Sequence, residues 1–315
     1  MSEKKESILV GYPNIISYEC TKKIIKQMER NICKIKIGEE QGTGFFCKIP
    51  FPDLNNMLSV FITNNHNINK EILYKDNAII EINIEEENNI RKLNLNNRKK
   101  YTNEEYDITI IEIKNEDEIN NYLELDDNII NDINNNNNNK NKNYIDKTIY
   151  IIQYPKGELS VSYGILDVIY EDKKYNFNHK CSTEGGSSGS PILNINNKLI
   201  GIHKEGIYNK YNKGTFLNYP IKEYIQLYCK NNLLQEFNTK YKLYITDTNI
   251  TKLNLTNCGI GDEGLKDLCK IEFKELKELD LYRNNISDIK VLEKVKFEKL
   301  EILHLSGNKI SDINI

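Results

Sequence analysis

At 315 residues, with 39% hydrophobic and 28% charged residues, the chain has the length of about two soluble domains. A formal net charge of -3 provides no basic field for a phosphate backbone, so no nucleic-acid partner is expected. No run approaches the ~18 apolar residues of a membrane span, so no membrane partner is expected either.

The N-terminus, Met1-Ser2-Glu3-Lys4-Lys5-Glu6, mixes charges of both signs ahead of a short apolar stretch at Ile8 to Val10. That is no signal-peptide core, and a cytoplasmic location is expected. Seven cysteines and four histidines contain no CxxC pair and no metal-ligand spacing, so free thiols and no metal or cofactor are expected. Residues 1–30 read as an N-terminal extension. Within it and just beyond, Ile24, Ile25, Met28 and Ile32 at helical spacing behind a Thr21 cap predict a short helix over 21–32.

Strands follow. Cys33, Ile35 and Ile37 alternate with lysines, then Gly38 to Gly44 supply turn residues before the apolar run Phe45 to Ile49, which predicts a hairpin. Further strands are predicted at 58–62, 78–84, 108–113, 148–152, 161–169, 191–195 and 198–202. Many short strands between polar loops argue for a β-sandwich or barrel. The Asn-rich stretch at about 128–143 is too polar to bury and reads as a loop that splits the strands into two sets. Ile221, Tyr224, Ile225, Tyr228, Leu233 and Phe237 predict a helix over 221–237, closing a first domain over 31–237.

Beyond it a repeat begins. Ile250, Leu253, Leu255, Cys258 and Ile260 match Leu276, Leu279, Leu281, Asn284 and Ile286, and then Leu300, Leu303, Leu305, Asn308 and Ile310. Equivalent leucines lie 26 and 24 residues apart, within the leucine-rich-repeat range. The region 240–315 therefore resembles a short α/β leucine-rich-repeat solenoid. Such repeats imply a docking surface, for a protein partner or for the first domain.

Three local patterns carry chemistry. Thr183-Glu184-Gly185-Gly186-Ser187-Ser188-Gly189-Ser190-Pro191 sets a serine in a glycine turn ahead of a strand, where the amides of Gly186 and Ser188 could converge on an oxyanion. Alone, a flexible Gly/Ser turn explains the segment equally well. The apolar strand Leu58 to Ile62 ends in Thr63-Asn64-Asn65-His66, which delivers a general base. Tyr106-Asp107-Ile108-Thr109 puts a carboxylate at the mouth of a buried strand, where it could fix the imidazole tautomer.

In these residues, and in Gly42-Thr43-Gly44-Phe45-Phe46, the chain resembles the chymotrypsin-like serine peptidases over roughly residues 30 to 235. The resemblance implies a mainly β, two-barrel domain and a serine endopeptidase. Ser188 would attack, His66 would move the proton, Asp107 would orient His66, and the Gly186 and Ser188 amides would form the oxyanion hole. Ser187 stands where many relatives carry an aspartate, and Cys47 has no cysteine beside His66 to pair with.

The segment from Ser182, with Ile200-Gly201-Ile202-His203, is most similar to the bacterial glutamyl-endopeptidase branch. That implies a pocket in which Thr183 and His203 hold a substrate carboxylate, with Lys204 adding charge and Ser182 offering no counter-charge to a basic side chain. A core histidine on a buried strand competes with this reading of His203. For the whole chain the competing class is a catalytically silent peptidase-like protein acting through its repeats as an interaction module. The α/β-hydrolase alternative requires the order Ser, Asp, His, which is absent.

Overall fold

The computed structural model of the protein describes residues 9–37, 40–52, 56–87, 90–134, 140–207, 210–245, 248–294 and 297–311. The chain divides into two units, residues 1–225 and 226–315.

The first unit begins with α1, Tyr18–Arg30. The Ser17 hydroxyl accepts from the Cys20 amide at 3.1 Å and caps this helix four residues before the expected Thr21 cap. Thr21 is instead inside the first turn, its hydroxyl donating to the Ser17 carbonyl. Cys20 and Ile24, four apart, form the buried stripe, whereas Ile25 is exposed.

Eight strands form the first sheet: β1 (Ile32–Ile37), β2 (Glu40–Pro50), β3 (Met57–Thr63), β4 (Ile79–Asn83), β5 (Ile90–Asn94), β6 (Lys100–Asn103), β7 (Ile108–Glu112) and β8 (Leu123–Glu124). Their order is β5-β4-β1-β2-β3-β7-β6, with β8 parallel to β2. The β1–β2 hairpin holds the register Ile32↔Phe45 to Ile37↔Glu40, so Gly42 and Gly44 lie inside a strand and not in the expected turn. Ile35, Phe46, Phe61, Ile80, Ile82 and Ile111 belong to one buried cluster, and each contributes about 1.5–3 kcal/mol of burial.

A single-turn helix, α2 (Lys70–Leu73), follows β3, capped by the Asn69 side chain, which accepts from the Ile72 amide at 3.0 Å. The Asn-rich stretch is not a loop throughout. It forms α3, Asp127–Asn134, because Ile129 and Ile133 lie four apart and bury together, while the Asp126 carboxylate accepts from the Asn128 amide at 2.9 Å. Residues 135–139 lie outside the described residues.

A closed barrel follows, ordered β10-β11-β14-β13-β12-β9. Its strands are β9 (Thr148–Gln153), β10 (Ser160–Ile169), β11 (Asn176–His179), β12 (Pro191–Asn194), β13 (Leu199–Ile207) and β14 (Tyr211–Phe216). All six β9 residues are buried, and Phe177 and Phe216 meet at a ring separation of 4.3 Å inside it. The fold is mainly β, a half-barrel sheet followed by a closed barrel. The two-residue β8 is too short for any pattern to reveal, and the sequence predicts no strand at β5, β6, β11 or β14 either. Their asparagines, lysines and glycines obscure the period-2 pattern.

The division between the two units falls inside α4, Asn218–Tyr241. Leu234 and Phe237 of its second half belong to the core of the second unit, a stripe that propensity alone assigns to neither side. Here β15 (Lys252–Asn254), β16 (Glu278–Asp280) and β17 (Ile302–His304) pair in parallel in the predicted register, Leu253↔Leu279↔Leu303. α5 (Gly261–Leu268) closes the first repeat and buries Leu265 and Leu268.

Candidate active site

β3 sinks into the core along its length and releases Asn64, Asn65 and His66 into a turn. The turn is stapled on several sides: Asn64 Nδ2 donates to the Asp107 carbonyl at 2.7 Å, Asn65 Nδ2 to Thr102 Oγ1 at 2.7 Å, and Thr109 Oγ1 to the Ile68 carbonyl at 2.6 Å. Asp107 precedes β7 with φ +51°, a left-handed conformation that aspartate tolerates better than most residues. Both of its carboxylate oxygens serve the histidine. Oδ2 lies 2.8 Å from His66 Nδ1, and Oδ1 accepts from the His66 amide at 3.0 Å.

A carboxylate can only accept, so the shared proton belongs on Nδ1 and Nε2 is left with its lone pair. The His66 side chain is 48% exposed and that of Asp107 14%, so the imidazole faces solvent while the carboxylate is shielded.

Ser188 lies in the turn between Cys181 and β12. Gly186 has φ +96°, and a side chain there would meet the Tyr154 carbonyl at 2.4 Å. Gly189 has φ +88°, with the Thr43 carbonyl 2.1 Å from where its Cβ would stand. Only glycine fits either place. Thr43 Oγ1 donates to the Gly186 carbonyl at 2.8 Å and accepts from the Tyr154 amide at 3.1 Å. The Ser188 carbonyl accepts from the Thr43 amide and from Asn67 Nδ2.

The Gly185 carbonyl accepts from the Lys156 amide at 2.7 Å. Its peptide is trans, which turns the Gly186 N–H to the opposite side. Among the described residues, neither the Gly186 nor the Ser188 amide donates to a protein acceptor.

His66, Asp107, Ser182, Thr183, Ser188, His203 and Lys204 all line one open cleft of about 1280 Å³. Ser182 is exposed at its edge, with its backbone held by Ser162 Oγ and Gln153 Nε2. Lys204 Nζ donates to the Glu105 carbonyl at 2.7 Å, and burial lowers its pKa. His203 is 3% exposed on β13, whose backbone exchanges bonds with the Ser188 turn: Gly189 N to His203 O at 3.2 Å and His203 N to Ser190 O at 2.8 Å.

Residues 42–202, just over half of the chain, match the trypsin-like peptidase domain family. The chain belongs to that family. Residues 246–269 and 274–315 match leucine-rich repeat families. Among characterised proteins, the glutamyl endopeptidase of Staphylococcus epidermidis is 34% identical over 94 residues, 28% of this chain and 30% of that protein. The glutamyl endopeptidase of Staphylococcus aureus strain MW2 is 42% identical over 45 residues, 14% of each. This chain thus spans less than a third of the length of the curated relatives it matches. A serine endoprotease from Yersinia pestis superposes with TM-score 0.46 at 15% identity, covering 68% of each chain. A human pathogenic astrovirus serine protease gives 0.40 at 16%, covering 59% of this chain and 89% of that one.

In this trypsin-like domain, sequence reasoning missed His179. It is fully buried at the end of β11, with Nε2 3.2 Å from His203 Nδ1. Asn176 and Asn178 disguised its strand as a loop. Burial, followed by repulsion from His203, holds His179 well below the usual imidazole range, and burial pushes His203 down to about 4.

Proposed function

We propose that this protein is a serine endopeptidase in which Ser188 Oγ attacks the scissile carbonyl and His66 Nε2 takes its proton. The imidazole then returns that proton to the leaving amine, and water hydrolyses the acyl-enzyme by the same route. Asp107 keeps the proton of neutral His66 on Nδ1 and stabilises the imidazolium that forms during the reaction. The Gly186 and Ser188 amides stabilise the oxyanion. The observation that carries this reading is the double engagement of Asp107 by His66, in the cleft that also holds Ser188.

Cleavage after Glu, and more weakly after Asp, is the specificity we propose. A hydroxyl at Thr183 and an imidazole N–H at His203 can both donate to a carboxylate, and the partial identity to glutamyl endopeptidases favours it. Lys204 supplies charge from a distance, its amine being held on Glu105. The repeats are proposed to bind a protein partner. A cytoplasmic location is proposed, which the six described cysteines, all unpaired, favour; no described helix is long and apolar enough to cross a membrane.

The test is labelling with a fluorophosphonate, with peptide mapping of the adduct, alongside sequencing of the new termini made in a protein mixture. An adduct on Ser188 and cuts after Glu are expected. No adduct removes the enzyme reading, and cuts after Lys, Arg or large apolar residues remove the acidic pocket.

A further inference from the structure

His179 and His203 are both buried side chains in the barrel wall of the cleft, with His179 Nε2 3.2 Å from His203 Nδ1. A buried neutral imidazole has one N–H and one lone pair, and its neighbours decide which nitrogen carries which. The Cys181 amide, which can only donate, points at His179 Nδ1 from 3.4 Å. That nitrogen must accept, so the His179 proton is on Nε2. It is therefore donated across the 3.2 Å gap to His203 Nδ1. His203 in turn carries its own proton on Nε2.

We infer that His179 is a positioning residue that fixes His203 as the Nε2–H tautomer, so that the substrate pocket presents a donor, not a lone pair, to the side chain preceding the cleaved bond. The inference rests on the acidic-pocket reading of His203. Without the relay, His203 could turn its lone pair toward a carboxylate and repel it. Burial keeps both rings neutral, so the tautomer and not a fixed positive charge sets the pocket's polarity. One group competes: the Lys213 backbone carbonyl on β14 favours protonation of both rings, and it would reverse the order if it took the His203 Nδ1 proton.

Long-range proton–nitrogen NMR of the full chain labelled with 15N-histidine reads the tautomers directly. Nε2–H is expected on both His179 and His203 at pH 7; Nδ1–H on His203 overturns the relay. Kinetics give an independent readout. His179→Phe should lower kcat/KM for a Glu substrate roughly tenfold, as loss of a donor to a charged group does, and leave an apolar substrate within about twofold. His179→Gln keeps an amide donor toward Nδ1 and should recover most of the loss. Equal losses on both substrates, or no recovery with glutamine, overturn the positioning role. A wild-type enzyme without preference for Glu refutes the acidic pocket, while the NMR result still decides the tautomer.

Discussion

The repeat unit and the peptidase-like unit are built from similar apolar strands but are specified at different distances along the chain. In the repeats each residue meets its equivalent one turn away: Leu253, Leu279 and Leu303 stack in register, and Asn284 and Asn308 donate to backbone carbonyls of neighbouring turns. In the trypsin-like domain the cleft is closed by contacts across the whole unit. Thr43 reaches Gly186, Asn67 reaches Ser188, and His66 reaches Asp107. A periodic unit spreads its stability over many equivalent contacts, whereas a site concentrates its function on a few atoms. Substitutions should therefore cost function steeply in one unit and stability gradually in the other.

The largest expected effect is that of Ser188→Ala. It should lower kcat/KM by roughly 10³-fold or more, because members of a triad act as a unit, and leave the melting temperature unchanged. Retention of more than a trace of turnover in purified variant would assign the nucleophile elsewhere. Next comes acid. His203 titrates near 4 in the fold against 6.5 when free, so between these values the unfolded chain binds more protons than the native one. Stability should be full above about pH 6.5 and fall as pH drops toward 4, by about 3 kcal/mol. Urea midpoints at pH 7.5 and 4.5 measure this; His203→Phe should remove the His203 share of the difference, while His179, also held well below the usual imidazole range, keeps its own. A difference unchanged in His203→Phe would show that His203 does not contribute to it.

Legibility in the sequence follows the same contrast. The repeats could be read because leucines recur every 24 to 26 residues with an asparagine or cysteine in step. His66, Asp107 and Ser188 stood out because each carries its own local pattern of a strand end or glycine turn. What bridges the patterns did not. Nothing near Thr43 says that its hydroxyl will hold the Gly186 peptide 143 residues away, and nothing near His179 says that it will face His203. α3 was hidden because asparagine is a poor helix former and only Ile129 and Ile133 betray its buried stripe.

Thr43 gives an intermediate effect. Thr43→Val keeps shape but removes the partner of the Gly186 carbonyl and of the Tyr154 amide, at a fully buried position. Unpaired buried groups cost about 1–3 kcal/mol each, so stability should fall by about 2 kcal/mol. The freed carbonyl belongs to the Gly186–Ser187 peptide, next to the Gly185–Gly186 peptide that carries the proposed oxyanion N–H, so kcat should fall several-fold with KM little changed. A loss confined to KM would mean that Thr43 shapes substrate binding and not the oxyanion site.

The smallest effect tests the repeats. Asn284 is fully buried; its amide donates to the Leu255 carbonyl at 2.7 Å and to the Tyr282 carbonyl at 3.3 Å, and its oxygen accepts from the Ile260 amide at 3.3 Å. Asn284→Ala leaves these groups to weaker partners, of which the Cys258 amide already donates to Leu255. The net loss should be about 1–2 kcal/mol, read as a lower urea midpoint of the second unit. Hydrolysis of a short peptide should stay within twofold, since none of these bonds involves the cleft. Slower exchange of the β15 and β16 amides in the variant than in the parent would contradict the ladder's role. A large fall in peptide hydrolysis would break the comparison itself, because it would make a contact local to the repeats act on the site.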